Sequence, residues 1–122
     1  MRTHNIKVIV IGGSAGSFKV ITKILSELPT DFRFPILLCL HRLKHVREGF
    51  VEALSLKSNI PVTEPYDKEK ILPGRAYLAP SNYHMYLEMG NTIALSTEEP
   101  LNYSRPSIDL TYGSTGFVLK NK

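Results

Sequence analysis

The chain begins with an almost unbroken apolar run, Ile6-Lys7-Val8-Ile9-Val10-Ile11, that stops at Gly12-Gly13-Ser14-Ala15-Gly16-Ser17. β-Branched residues without polar alternation predict a strand covered on both faces, which in an α/β protein is a central parallel strand. Beyond the glycines, Val20, Ile21, Ile24, Leu25 and Leu28 recur at helical spacing. They predict a helix with one apolar face, ended by Pro29. Pro35-Ile36-Leu37-Leu38-Cys39-Leu40 is a second short apolar run. Strand, helix and strand together predict a right-handed parallel βαβ unit whose second strand ends at His41.

Further along, Val46, Phe50, Val51 and Leu54 share one helical face and Glu48 and Glu52 another, predicting a second amphipathic helix across 46–57. Residues 60–64 read as a third strand. Residues 71–80 read as a Pro73-Gly74 turn followed by a short strand. A hairpin of 86–89 and 92–95 is expected about Gly90-Asn91. Ser107 is expected to cap a last helix from Ile108, weakened by Gly113 and Gly116, and Val118-Leu119-Lys120-Asn121-Lys122 predicts no clear further element. The alternation of strand and helix predicts an α/β fold: three layers, doubly wound, with a mainly parallel sheet interrupted by an antiparallel hairpin.

The 122 residues have the length of one domain. A hydrophobic content of 43% with 21% charged residues is that of a soluble globular protein, and no apolar run approaches the roughly 18 to 20 residues that cross a bilayer. The amino terminus runs straight into the first strand without the pattern of a secretory signal, so a cytoplasmic location is expected. The single cysteine, Cys39, lies inside an apolar run and reads as a core residue. The net charge of +4 comes from scattered lysines and arginines. No basic stripe interleaved with aromatics points to nucleic acid, although the charge favours an acidic partner.

Candidate chemistry centres on Gly12-Gly13-Ser14-Ala15-Gly16, a G-x-S-x-G arrangement at a strand-to-helix turn. Such a turn holds a serine hydroxyl clear of the backbone and near the free N–H groups of the next helix, as a nucleophile requires. A glycine-rich turn of this kind also binds phosphate, or serves structure alone. The dinucleotide fingerprint G-x-G-x-x-G is absent in every register, and no lysine precedes Ser14 or Ser17 as a Walker loop demands. Ser14 and His41 leave the carboxyl ends of two strands expected to be neighbours, which is the placement a hydroxyl and its general base need.

These residues, with Leu72-Pro73-Gly74, Tyr77-Leu78-Ala79-Pro80, His84 and Asn102-Tyr103-Ser104-Arg105-Pro106-Ser107-Ile108-Asp109 in the same order, resemble the catalytic domain of the CheB-type chemotaxis receptor methylesterases. The resemblance runs from residue 6 to about 112 and implies a Rossmann-like methylesterase fold. It implies hydrolysis of γ-glutamyl methyl esters on the cytoplasmic helices of methyl-accepting chemoreceptors, with deamidation of glutamines by the same machinery. Ser14 would be the nucleophile and His41 the general base and then acid. Gly13, Ala15 and Gly16 would form the elbow and oxyanion region, and His84 and Arg105 would be possible substrate contacts. No cofactor, metal, nucleic acid or membrane insertion is implied.

Ala15 and Ser17 stand where the family has threonine and glycine. The family's triad aspartate lies in a Gly-Met-Gly-x-Asp-Gly segment, and none occurs in these residues. The chain is therefore expected to be roughly the first two-thirds of such a domain, incomplete at its carboxyl side, with no receiver domain in cis. Asp67 and Asp109 are the candidates to replace the acid. The alternatives to an esterase are a catalytically inactive receptor-binding remnant and an anion- or nucleotide-binding α/β domain.

Overall fold

The computed structural model describes residues 7–14, 17–41, 49–80, 83–88, 90–96, 107–110 and 115–121. In chain order the elements are β1 (Lys7–Ser14), α1 (Phe18–Glu27), β2 (Ile36–His41), α2 (Phe50–Lys57), β3 (Val62–Thr63), β4 (Glu69–Lys70), β5 (Ala76–Leu78), β6 (His84–Glu88), β7 (Thr92–Ser96), β8 (Ser107–Leu110) and β9 (Thr115–Asn121). Two sheets result. The first has the order β3-β5-β2-β1-β9, and every pairing in it is parallel. The second has the order β4-β7-β6-β8, with antiparallel β4–β7 and β6–β7 pairs and a parallel β6–β8 pair.

Residues 36–40 are buried without interruption, as expected of a strand whose sequence does not alternate. Their two faces meet different partners. Ile36, Leu38 and Leu40 pack with Ile11 against Ile21 and Leu25 of α1 and Phe50 and Leu54 of α2. Leu37 packs with Val8, Val10 and Tyr77 against Met85 and Leu87 of β6 and Ile93 of β7. The parallel sheet is thus the middle layer, with the helices on one side and the second sheet on the other. This places the expected antiparallel hairpin: it is the centre of the layer that covers the second face.

Local chemistry explains the element ends. The apolar face of α1 is carried by Ile21 and Leu25, whereas Val20 is 46% exposed and lies at its rim. The carboxyl end of α1 is held from the α2–β3 connection by Asn59. Its backbone N–H donates to Leu25 O (3.1 Å), and its Nδ2 donates to Ser26 O (2.9 Å) and Leu28 O (2.8 Å). These carbonyls belong to the helix end that has no intrahelical donors. Asn59→Ala removes the two side-chain bonds, and a loss of about 1–2 kcal/mol is expected. Urea unfolding of the variant against wild type checks it, and a midpoint unchanged within error would show that water replaces the amide. α2 begins at Phe50, after Gly49 in the left-handed region at φ 78°. Val46 and Glu48, assigned to this helix from periodicity, lie outside the described residues. The rings of Phe18 and Phe50 meet edge-on, with centroids 5.3 Å apart, and join the two helices.

The hairpin turns where expected, with Gly90 at φ 87° and Asn91 at φ 63°. β4 adds itself to β7 through Glu69↔Ile93 and Lys70↔Thr92. Lys68 carries the chain into that strand at φ 72°. Its ammonium is 3.0 Å from Glu88 Oε1, and this bond raises its pKa above the usual lysine value. On the solvated surface such a pair adds little stability.

Tyr77 is fully buried, and its hydroxyl accepts the Leu72 N–H at 2.8 Å. Burial pushes its phenol pKa up, against a smaller opposing effect of the Leu72 bond. A raised phenol pKa contributes stability that is complete below the unfolded value near 10 and is lost as the pH rises beyond it. Tyr77→Phe is expected to lose about 1–2 kcal/mol at neutral pH, because the Leu72 N–H loses its acceptor. The variant should also show a shallower fall in stability above pH 10. Denaturant curves at pH 7 and pH 10.5 measure both effects, and parallel losses in the two proteins would remove Tyr77 as the source of the alkaline decline.

Two expectations for the last residues are corrected. Ser107–Leu110 is strand β8, not the start of a helix, and Thr115–Asn121 is strand β9. Ile108 and Leu110 alternate with Ser107 and Asp109 at the strand period of two, and the glycines at 113 and 116 disfavour helix over this stretch. β9 also means that β1 is paired on both edges, by β2 and by β9.

Candidate active site

β1 and β2 pair in parallel from Ile9↔Ile36 through Gly12↔Cys39 and Gly13↔Leu40 to Ser14↔His41. Ser14 and His41 are thus Cα partners in the last row of the ladder, with neighbouring strands roughly 4.8 Å apart. Both readings of the sequence meet here: the serine at an apolar strand's end and the histidine at its neighbour's end occupy one edge. Ala15 and Gly16, expected at the elbow, lie outside the described residues. α1 starts at Phe18, directly after the half-turn residue Ser17, which is 1% exposed. A helix amino terminus, with its free N–H groups and partial positive charge, thus begins within four residues of the serine.

β5 brings a third strand end to the same edge. Ala79 N donates to Leu38 O at 2.9 Å and extends the ladder one step past Leu78. Tyr83 N donates to Pro80 O, turning the chain toward β6. The start of β5 is fixed by Gly74. It lies at φ +73°, its N–H donates to Phe34 O at 3.2 Å, and the position of a Cβ there is 2.6 Å from Phe32 O. Arg75 O then accepts the Ile36 N–H (2.9 Å), and Pro35 O accepts the Ile9 N–H (3.0 Å). The loop that feeds β2 is clasped between the starts of β5 and β1, which aligns the three strands in register.

The remaining sequence-derived candidates are placed differently. His84 is the first residue of β6, in the same row as Ser96 and Ser107, and is 1% exposed. It alternates with Met85 and Leu87, which pack toward the parallel sheet. His84 therefore belongs to the opposite face of the second sheet, and the register that joins Ser14 to His41 does not include it. Arg105 lies outside the described residues. Asp67 accepts the Leu95 N–H at 2.8 Å, at the edge of the second sheet. Asp109 sits on β8 opposite Tyr86.

β9 contributes residues the sequence reading missed. Its ladder with β1 places Lys120 beside Gly12 and Asn121 beside Gly13. The signal was present in Phe117-Val118-Leu119, a short apolar run like those of β1 and β2. Its proximity to two glycines and a polar ending hid it.

Comparison with known proteins identifies the family and the fold. Residues 9–122 match the protein family described as CheB methylesterase. A relative from Leptospira interrogans is 37% identical over 118 residues, covering 97% of this chain and 61% of its own length. A protein named protein-glutamate methylesterase/protein-glutamine glutaminase from Nitrosospira multiformis is 40% identical over 112 residues, 92% of this chain and 32% of that protein. The crystal structure of the Thermotoga maritima CheB methylesterase catalytic domain superposes with a TM-score of 0.73 at 29% identity, covering 85% of this chain and 56% of that one. The chain thus spans less than two-thirds of the length of each of these relatives.

Proposed function

The chain belongs to the CheB methylesterase family, and from that membership and the pairing of Ser14 with His41 we propose that it is a serine hydrolase of protein-glutamate methyl esters. The single observation that carries this reading is the terminal row Ser14↔His41, since hydroxyl activation requires an imidazole held within hydrogen-bond reach. Ser14 attacks the γ-ester carbonyl while His41 takes its proton. The tetrahedral oxyanion forms beside the turn of Gly13, Ala15 and Gly16, where the N–H groups leading into α1 are available to hold it. His41 returns the proton to the departing methoxide, releasing methanol. Water, deprotonated by the same imidazole, then frees Ser14 and leaves a glutamate carboxylate. With a glutamine side chain the same sequence of steps releases ammonia.

The substrates in this reading are the cytoplasmic helices of methyl-accepting chemoreceptors, which places the work in the cytoplasm. No helix among the described residues is long and apolar enough to cross a membrane. The reaction calls on no cofactor or metal, and Arg105 remains a candidate contact for the substrate chain. The test is methanol release from a chemoreceptor helix carrying γ-methyl glutamate, followed by mapping of the carboxylates that appear. Release that depends on the protein supports the reading. Binding of the helix with no release above the spontaneous rate replaces it with a receptor-binding module.

A further inference from the structure

We propose that the two loops at the amino ends of β2 and β5 form a docking face for an acidic polypeptide segment that carries one large apolar side chain. Residues 32–34 lead into β2 and residues 72–75 into β5. The loops are pressed together at Gly74, whose N–H donates to Phe34 O at 3.2 Å and whose missing Cβ would be 2.6 Å from Phe32 O. This contact holds the backbone of Arg33 on one loop beside that of Arg75 on the other. The face is independent of Ser14 and His41: from Ile9, bonded to Pro35 O at this end of the sheet, β1 runs roughly 17 Å to Ser14.

Exposed apolar surface and two cations come together here. Leu72 is 50% exposed, and Pro73 next to it is exposed as well. Tyr66, 70% exposed, is near enough to act together with Arg75 on the buried Tyr77 phenol. The rings of Phe32 and Phe34 engage one another edge-on, with centroids 5.7 Å apart, and Arg33 between them is exposed. Arg75 is half-buried. Neither guanidinium enters an ion pair among the described residues, where Lys23 pairs with Glu27 and Lys68 with Glu88.

The local charge sets what fits this face. Residues 32–36 and 71–77 hold Arg33 and Arg75 and no aspartate or glutamate. The nearest carboxylates along the chain are Asp31, which is exposed, and Glu69, whose Oε1 accepts the Tyr66 N–H at 3.1 Å. Guanidinium forks match carboxylates in both geometry and charge, and Leu72 offers an apolar contact beside them. A phosphate backbone or an anionic bilayer calls for a wide basic surface. This one is narrow and has Asp31 next to it. A short segment with glutamates on both sides of a leucine satisfies the guanidinium groups and the apolar contact together.

The test titrates the 122-residue chain into three labelled peptides, Glu-Glu-Leu-Glu-Glu, Gln-Gln-Leu-Gln-Gln and Glu-Glu-Ser-Glu-Glu, and follows fluorescence anisotropy. Wild type should bind the first about fivefold more tightly than either of the others at low salt. Its preference over the glutamine peptide should shrink as salt rises. The double variant Arg33→Gln, Arg75→Gln should erase the preference for glutamate, and Leu72→Ser the preference for leucine. Lys57→Gln, which removes a charge from the exposed end of α2, should keep both. Circular dichroism checks the folds. If the double variant does not fold, Arg33→Gln alone, at an exposed position, decides by lowering the glutamate preference about twofold. Equal binding of the three peptides by wild type, preferences retained in the arginine and leucine variants, or equal losses in Lys57→Gln overturn the proposal. Capture by phosphatidylserine vesicles without peptide binding also overturns it and makes the face a membrane contact. Self-association in sedimentation that Leu72→Ser abolishes overturns it in favour of an interface between copies of the chain.

Discussion

Replacing Ser14 with alanine should lower protein-dependent methanol release from a methylated receptor helix by at least ~10³-fold, to the level of the medium. His41→Gln should do nearly as much. The double variant should be no worse than either single one, because nucleophile and base act as one unit and their losses do not add. Additive losses would show that the two residues act in separate steps, and equal release from wild type and Ser14→Ala would remove the serine from the chemistry. Asp67 accepts the Leu95 N–H and Asp109 belongs to β8 in the second sheet. Single-turnover labelling of the peptide makes the comparison of variants.

The largest expected effect on stability comes from a residue outside the chemistry. Gly74→Ala should destabilise the fold by about 3 kcal/mol or more and lower Tm by roughly 10–15 °C. Two costs combine. The left-handed φ of +73° strains any residue with a Cβ, and that Cβ would be 2.6 Å from the carbonyl oxygen of Phe32, a backbone atom that cannot rotate away. Gly49→Ala is the internal control. It has a similar φ of +78° but nothing within 4 Å of the added carbon, so only the conformational cost of about 1 kcal/mol applies. Thermal melts of the two variants separate strain from collision, and equal losses would show that the Phe32 loop yields.

How much of this was readable in advance follows from the range over which each feature is determined. The β1–α1–β2 unit is written in consecutive apolar residues and a helical repeat, and the hairpin in Gly90-Asn91. From these local signals the meeting of Ser14 with His41 followed. β4 carries no such signal. Glu69 and Lys70 are a strand only because β7 offers them partners, and Ile71 N finds the Asn91 carbonyl next to them. Asn59 likewise acts on a helix whose end is some thirty residues earlier. The final segment misled for the same reason: Ser107 ahead of an apolar residue resembles a helix cap, and only pairing with β6 makes it a strand. His84 shows a different difficulty. Its place in an ordered motif suggested substrate contact, but the face of a sheet to which it belongs depends on a register of one residue.

The pairing of β9 with β1 has a consequence for how the edge comes together in time. Ser14 and His41 are joined by a compact local unit, whereas Lys120 arrives by closing a loop of roughly a hundred residues onto Gly12. Contacts of such long sequence separation tend to form late and slow the folding of the whole chain. Amide exchange should therefore report two populations at one edge, with β9 releasing its protons ahead of β2. A nascent chain completes the β1–β2 ladder up to its Ser14↔His41 row before it has acquired the strand that closes the other edge of β1.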